Sequence, residues 1–239
     1  MVPGHSIWKG TDPDQWVLEP YQRAGNRIAA LIKHIEIGAK MAVEDERALL
    51  IFSGGQTRPA STTTEAESYL RLAHLSNLFG PPAFTRPFPR ATTEDYALDS
   101  FQNLLFSIAR FHEYTGRYPE QITVVGYEMK RARFVELHRR ALRWPKDKFH
   151  YIGVDPEGEE NAAAAEGEKQ NGYLPYTTDT YGCHSVLLAK RRKRNQFMRF
   201  HPYYTSAPEL APLLSWCPSV HSAGSGLYTD ELPWDSSSH

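Results

Sequence analysis

Short apolar or β-branched runs that stop at glycine or a turn pair, separated by longer helical stretches, constrain this chain most. Ala48-Leu49-Leu50-Ile51-Phe52 is unbroken and ends at Ser53-Gly54-Gly55. Such a run fits a strand buried on both faces. Ile122-Thr123-Val124-Val125 ends at Gly126, and Phe149 to Val154 stops at Asp155-Pro156; both read as strands. The segments between them have helical spacing. From Tyr21 to about Asp45, Ile28, Leu31, Ile32, Ile35, Ala39 and Ala42 recur on one face behind Pro20. Ser61 to Leu78 carries Thr62 and Glu65 in the capping-box pattern and meets Gly80-Pro81-Pro82. Thr93 to Thr115 sets Leu98, Phe101, Leu105 and Ile108 on one face before Gly116. Met129 to Arg143 and Gly182 to about Asn195 read as further helices. The order predicts an α/β fold of repeated βαβ units, its mostly parallel sheet covered on both faces.

The chain of 239 residues is long enough to bury a core without disulfides or metals. Its 41% apolar and 23% charged content excludes a wholly disordered chain. Runs such as Ala48–Phe52 fall far short of the ~20 residues that cross a bilayer. Met1-Val2-Pro3-Gly4-His5 lacks the pattern of a signal peptide. Cys183 and Cys217 are far apart in sequence, which suits a reducing compartment and no disulfide framework. A cytoplasmic protein is expected. One domain is expected over 1–218, with a core over about 1–155 and an extension over about 172–218. The acidic, Ala-rich stretch over 157–171 reads as an exposed loop or mobile insert. The Ser/Gly/His-rich tail over 219–239 reads as poorly ordered, except around Leu232-Pro233-Trp234.

Four segments, in this order and spacing, resemble the YdcF-like family, also called domain-of-unknown-function family 218. They are Gly4-His5-Ser6-Ile7-Trp8, Ser53-Gly54-Gly55-Gln56-Thr57 with Glu65-Ala66, Glu94-Asp95 through Asn103, and Tyr127 through Phe134. The resemblance covers about 1–155, and the remainder resembles the extension of a cytosolic fungal branch. It implies a three-layer α/β/α Rossmann-like fold and a nucleotide-like ligand, S-adenosylmethionine among the candidates, with no settled reaction. The chain departs from the family pattern at Ala97, Asp99 and Gln102, where Ser, Asn and Glu are usual. Glu128 stands where His usually precedes the retained Arg131. Relatives also carry an apolar strand before the Gly-His motif. Here that strand is a stub, or the chain is shortened.

In an open parallel sheet, ligands bind beyond the carboxyl ends of the strands. Gly4 and His5, the Ser53–Thr57 segment, the 126–131 segment and Asp155 are such ends. Gly54 and Gly55 let backbone N–H groups approach an anion, with Ser53, Gln56, Thr57 and Arg58 adding donors or charge; the alternative is a tight strand-to-helix turn. His5, with a pKa near ~6.5, is a candidate general base; the alternative is a satisfied histidine beside Trp8. Glu94 is a candidate acid or base and Asp95 a ligand contact, unless they serve only the helix start. Ser100 and Asn103 share a helix face and are candidates to orient Glu94 or a ligand; the alternative is a polar stripe. Arg131 is the preferred anion clamp, with Glu128 and Lys130 beside it.

The expected function is therefore a small-molecule enzyme, hydrolase or transferase, acting on an anionic or nucleotide-like substrate. The alternative is a non-catalytic binding protein of the same fold. No Gly-x-Gly-x-x-Gly, Walker or Gly-x-Ser-x-Gly sequence occurs, which disfavours a dinucleotide oxidoreductase, an ATPase or a serine hydrolase. No metal is expected, because neither the histidines nor two distant cysteines have zinc-site spacing. The net charge of −1 argues against nucleic-acid and membrane partners. Lys190-Arg191-Arg192-Lys193-Arg194 suits nuclear import or a nucleic-acid patch. The favoured reading is a basic helix end packed on the acidic 157–168 segment.

Overall fold

The computed structural model describes residues 16, 27–80, 88–155, 161–219 and 226–235. Gly4, His5 and the rest of the first motif lie outside the described residues. Helix α1 (Arg27–Glu44) leads into strand β1 (Leu50–Ser53) and helix α2 (Glu65–Leu75). Strand β2 (Ala91–Glu94), helix α3 (Ser100–Thr115) and strand β3 (Ile122–Gly126) follow. A helical stretch over 128–141, here α4, precedes strand β4 (Phe149–Gly153). A second helical stretch over 161–178 is α5, and Ser185–Arg194 is α6.

The sheet is two parallel pairs. β1 pairs β2 from Leu50↔Ala91 to Ser53↔Glu94, and β3 pairs β4 from Ile122↔Phe149 to Gly126↔Gly153. Each pair is joined through a helix, as parallel strands require. The expected α/β class holds. Among the described residues, however, no strand pairing joins the two pairs into one sheet. Helix α1 spans both. Its Ile35 packs with Phe52, Ala66 and Leu72 near the first pair. Its His34 donates Nε2–H to the Val154 carbonyl at 2.9 Å, beyond the end of β4. No helix among the described residues is long and apolar enough to cross a membrane.

Several boundaries differ from expectation for identifiable reasons. The helix expected over Thr93 to Thr115 is a strand, a loop and a shorter helix. Thr92 and Thr93 are β-branched and pair with β1. Asp99 then caps α3 by accepting from the Gln102 N–H at 2.9 Å. Gly116 ends α3 in the left-handed conformation at φ +73°. The cap of α2 is Thr64, not Thr62: Thr64 Oγ1 accepts from the Glu67 N–H at 3.0 Å. The loop expected at 157–171 is helical from Asn161 onward. Four consecutive alanines, Ala162 to Ala165, favour helix over loop.

Residues 226–235 pack into the core, in keeping with the exception expected around Leu232-Pro233-Trp234. Tyr228, Leu232 and Trp234 are buried with Leu105, Trp144 and Tyr203. The Tyr228 N–H donates to Tyr181 Oη at 2.8 Å, and Trp234 Nε1–H donates to the Leu142 carbonyl at 2.7 Å. Cys183 and Cys217 are joined in a disulfide, which corrects the expectation of two separate thiols. Sequence distance of 34 residues says nothing about spatial distance once α6 folds back.

Trp234→Ala leaves a large cavity against Trp144 and Tyr118, whose rings lie 4.9 and 6.1 Å from it. Urea unfolding is expected to show a loss of about 3–5 kcal/mol. A loss below about 1 kcal/mol would mean that 226–235 contributes little to the core.

Candidate functional site

Ser53 and Glu94 end adjacent parallel strands, so strand register brings them side by side. Ser53 Oγ lies 2.9 Å from Glu94 Oε2 and 3.1 Å from Asn103 Oδ1, and its one O–H is placed to donate to either. The backbone N–H groups of Tyr96 and Ala97 donate to Glu94 Oε1 and Oε2 at 2.9 and 3.2 Å. Tyr203 Oη–H donates to Oε1 at 3.1 Å from the far end of the chain. Ser53, Glu94 and Asn103 therefore meet, as expected. Tyr203 was not legible as a partner because nothing in its local sequence points to residue 94.

Glu94 is 0% exposed, so it presents no surface to a substrate. This does not fit a proton donor or acceptor facing an open crevice. Burial raises its pKa from 4.5 to about 7, against the lowering effect of the hydrogen bonds from Tyr96, Ser53, Tyr203 and Ala97. The folded state thus holds the proton more tightly than the unfolded chain. The associated stability is complete below pH 4.5 and is lost as pH rises through about 7. The span corresponds to about 3 kcal/mol. Denaturant unfolding between pH 5 and 8 is expected to show this fall in the native protein and not in Glu94→Gln. Parallel curves for the two proteins would refute the assignment.

Gly54 and Gly55 serve the tight turn. Their N–H groups donate to the carbonyls of Glu94 and Ala97 at 3.0 and 2.8 Å. Their carbonyls accept from the N–H groups of Ala66 and Glu65 at 3.0 and 3.3 Å. A Cβ at Gly55 would lie 2.8 Å from the Ala97 carbonyl oxygen, so glycine permits this close approach. The expected anion cradle is not formed by these two N–H groups. Gln56 donates to the Ser61 carbonyl at 2.7 Å and Thr57 to Glu65 Oε1 at 3.1 Å. Asp95 accepts from Thr64 and Thr93 hydroxyls, tying the α2 cap to β2.

Ser100 turns away from Glu94. Its Oγ lies 2.7 Å from Nε2 of His138, which is fully buried among Phe101, Phe134 and Tyr176. Burial drives the His138 pKa well below 6.5, so the ring is neutral. Arg131, the expected anion clamp, already holds an internal anion. It binds Glu128 through Nε–Oε1 at 2.5 Å and Nη2–Oε2 at 2.7 Å, and donates to the Tyr151 carbonyl at 2.8 Å.

A further charge after β3 is Lys130. This side chain is half-buried, with Nζ 5.3 Å from the Tyr127 ring centre. Burial, then the repulsion of Arg133, push its pKa from 10.5 down to about 8. Arg194 opposes its charge further, while Glu168 and Glu65 support it. Glu65 begins α2, which follows β1, so a charge beyond β1 acts on one beyond β3. Arg133 pairs with Glu168 at 3.1 Å, both side chains 11% exposed. Lys190 Nζ donates to the Asn171 carbonyl at 2.7 Å and interacts with Arg133, Arg194 and Glu168.

The basic run on α6 is therefore split by helical geometry. Lys190, Arg191 and Arg194 face inward. Arg191 binds Asp99 at 2.5 Å, and Arg194 donates to the Leu98 carbonyl at 2.7 Å. Arg192 and Lys193 are exposed. Of the run, Lys190 senses Glu168 at the end of the acidic segment, whereas Arg191 and Arg194 are taken up by Asp99 and the Leu98 carbonyl. Sequence reasoning placed neither Arg133 nor Glu168 in the site, since each alone resembles an ordinary solvated helix charge.

An uncharacterised protein of Saccharomyces cerevisiae (strain ATCC 204508 / S288c), YOR238W, is 30% identical to this chain over an alignment of 257 residues. The match spans 85% of each protein. No family model matches the chain, and no solved structure matches it.

Proposed function

The chain belongs to the family of the yeast protein YOR238W, and we propose that it binds a small anionic molecule beyond the carboxyl ends of its parallel strands. The observation that carries this reading is the charge imbalance at Lys130. Lys130, Arg133, Lys190 and Arg194 interact there with the carboxylates Glu65 and Glu168. The cations named outnumber these two carboxylates, with Asp155 near Met129 as a further acidic neighbour, and a concentration of cations in a partly desolvated place favours an added anion. A phosphate or carboxylate supplies it.

The YdcF-like resemblance supports the finer form of this reading. In that form the two parallel pairs belong to one three-layer Rossmann-like fold, and the ligand is nucleotide-like. Binding, not turnover, is the reading we favour, because Glu94 has no exposed surface. An enzyme of the hydrolase or transferase class is the second reading. Lys130 favours it, since an amine titrating at about 8 exchanges protons near neutral pH.

Thermal unfolding with inorganic phosphate, adenosine monophosphate or S-adenosylmethionine tests the proposal. A saturable rise in Tm is expected with at least one of these. Lys130→Gln is expected to weaken binding about tenfold, a change of ~1.4 kcal/mol. Bound anion raises the Lys130 pKa above about 8, so affinity falls as pH climbs beyond that value. No Tm response to any of the three anions, or equal binding by Lys130→Gln, would overturn the proposal.

A further inference from the structure

Cys183, His184 and Cys217 meet at the surface, apart from the cationic cluster. Cys183 and His184 form the turn before α6, and Cys217 follows the short helical turn Ala211–Leu214. One donor atom from each of the three lies within 4.8 Å of the other two. We propose that, once the disulfide is reduced, these residues form a binding site for zinc or a similarly soft divalent cation.

The donor set selects the metal. Two thiolates and an imidazole suit zinc, whereas magnesium and calcium prefer oxygen. The spacing also fits. Tetrahedral zinc with sulfur at about 2.3 Å and nitrogen at about 2.0 Å sets its sulfur and nitrogen ligands about 3.5 Å apart. His184 Nε2 lies 3.3 Å from Cys217 Sγ. Reduction frees the two sulfurs to part to the ~3.8 Å of a shared tetrahedral ion.

The backbone around the site is held before any metal arrives. Asp179 accepts from the N–H groups of Cys183 and His184, at 3.0 Å through Oδ1 and 2.9 Å through Oδ2. The Gly182 N–H donates to the Asp179 carbonyl at 3.0 Å, with φ at +65°. This grip fixes the backbone from which the Cys183 and His184 side chains extend. His184 Nε2–H now donates to the Pro218 carbonyl at 2.7 Å. Metal binding takes the Nε2 lone pair, and the ring proton moves to Nδ1. Three protein ligands leave a fourth position for water, and Cys217 is exposed to solvent.

The chemistry balances. A phosphine gives two electrons to the S–S bond, which breaks, and takes oxygen from water to become its oxide, while that water supplies the protons of the two thiols. Zinc then displaces both thiol protons, and the imidazole binds neutral. Disulfide and metal are mutually exclusive at these sulfurs.

The test uses the full chain, reduced with a phosphine and exchanged into reductant-free buffer under argon. Zinc is titrated in competition with a chromophoric chelator, and cobalt serves as a spectroscopic probe of thiolate ligation. One tightly held zinc per reduced chain is expected, together with thiolate-to-cobalt charge-transfer bands. The oxidised chain, the Cys183→Ser/Cys217→Ser variant and reduced chain alkylated with iodoacetamide are each expected to lose that equivalent. Alkylation keeps the test valid where the variant fails to fold. His184→Ala is expected to weaken binding about tenfold or more. Equal zinc binding by the oxidised or alkylated chain, or no tight equivalent in the reduced chain, would overturn the site.

Discussion

A fully buried carboxylate with no cation among its hydrogen-bond donors organises this molecule. Glu94 sits at the end of β2 and accepts from Ser53, Tyr203 and the N–H groups of Tyr96 and Ala97. Burying such a group is costly unless its oxygens are satisfied. The four donors come from the end of β1, the loop after β2 and the C-terminal part of the chain. Folding must therefore assemble all three parts before the carboxyl group is accommodated. Asn103 joins through Ser53, which ties α3 to the same point. The register Ser53↔Glu94 decides where both strands stop, and hence where the Gly54-Gly55 turn emerges.

A second set of charges fastens the C-terminal half to the first. Asp99 caps α3 through the Gln102 N–H and also binds Arg191 of α6. Arg194 reaches the Leu98 carbonyl one residue before that cap. These contacts hold α6 so that Lys190 and Arg194 come to Lys130 and Arg133. The structural role of the basic run and the electrostatics of the candidate site thus share one cause. Arg133 and Arg194 oppose the charge of Lys130, and Glu168 and Glu65 support it.

Local signals made the strands at Leu50 and Ile122 and the end of α3 at Gly116 readable. Each depends on neighbours within a few residues: an apolar run, β-branching, a left-handed glycine. β2 was not readable, since Ala91-Thr92-Thr93-Glu94 is only four residues long and runs into a helical pattern. Its strand state comes from pairing with β1. Within the candidate site, Ser53, Glu94 and Asn103 were readable as a group because strand ends converge in any parallel sheet. Arg131 misled because a guanidinium after a strand reads the same whether its anion is a ligand or Glu128. His138, Tyr203 and Glu168 gave no signal, as their partners lie far along the chain.

The sequence by itself determined the α/β class, most helix and strand positions and the residue types available at the strand ends. These follow from periodicity and turn chemistry, which act over short distances. Tertiary structure decided which of those residues are paired internally and with what. It turned Glu94 from an acid or base into a buried tie and gave Arg131 its own carboxylate. It drew Lys130 into a cluster with Arg133, Lys190 and Arg194, and set Cys183 and His184 against Cys217. The reason is physical: burial and pairing depend on where distant segments pack, and both set the charge and reach of a side chain far more than its neighbours in sequence do.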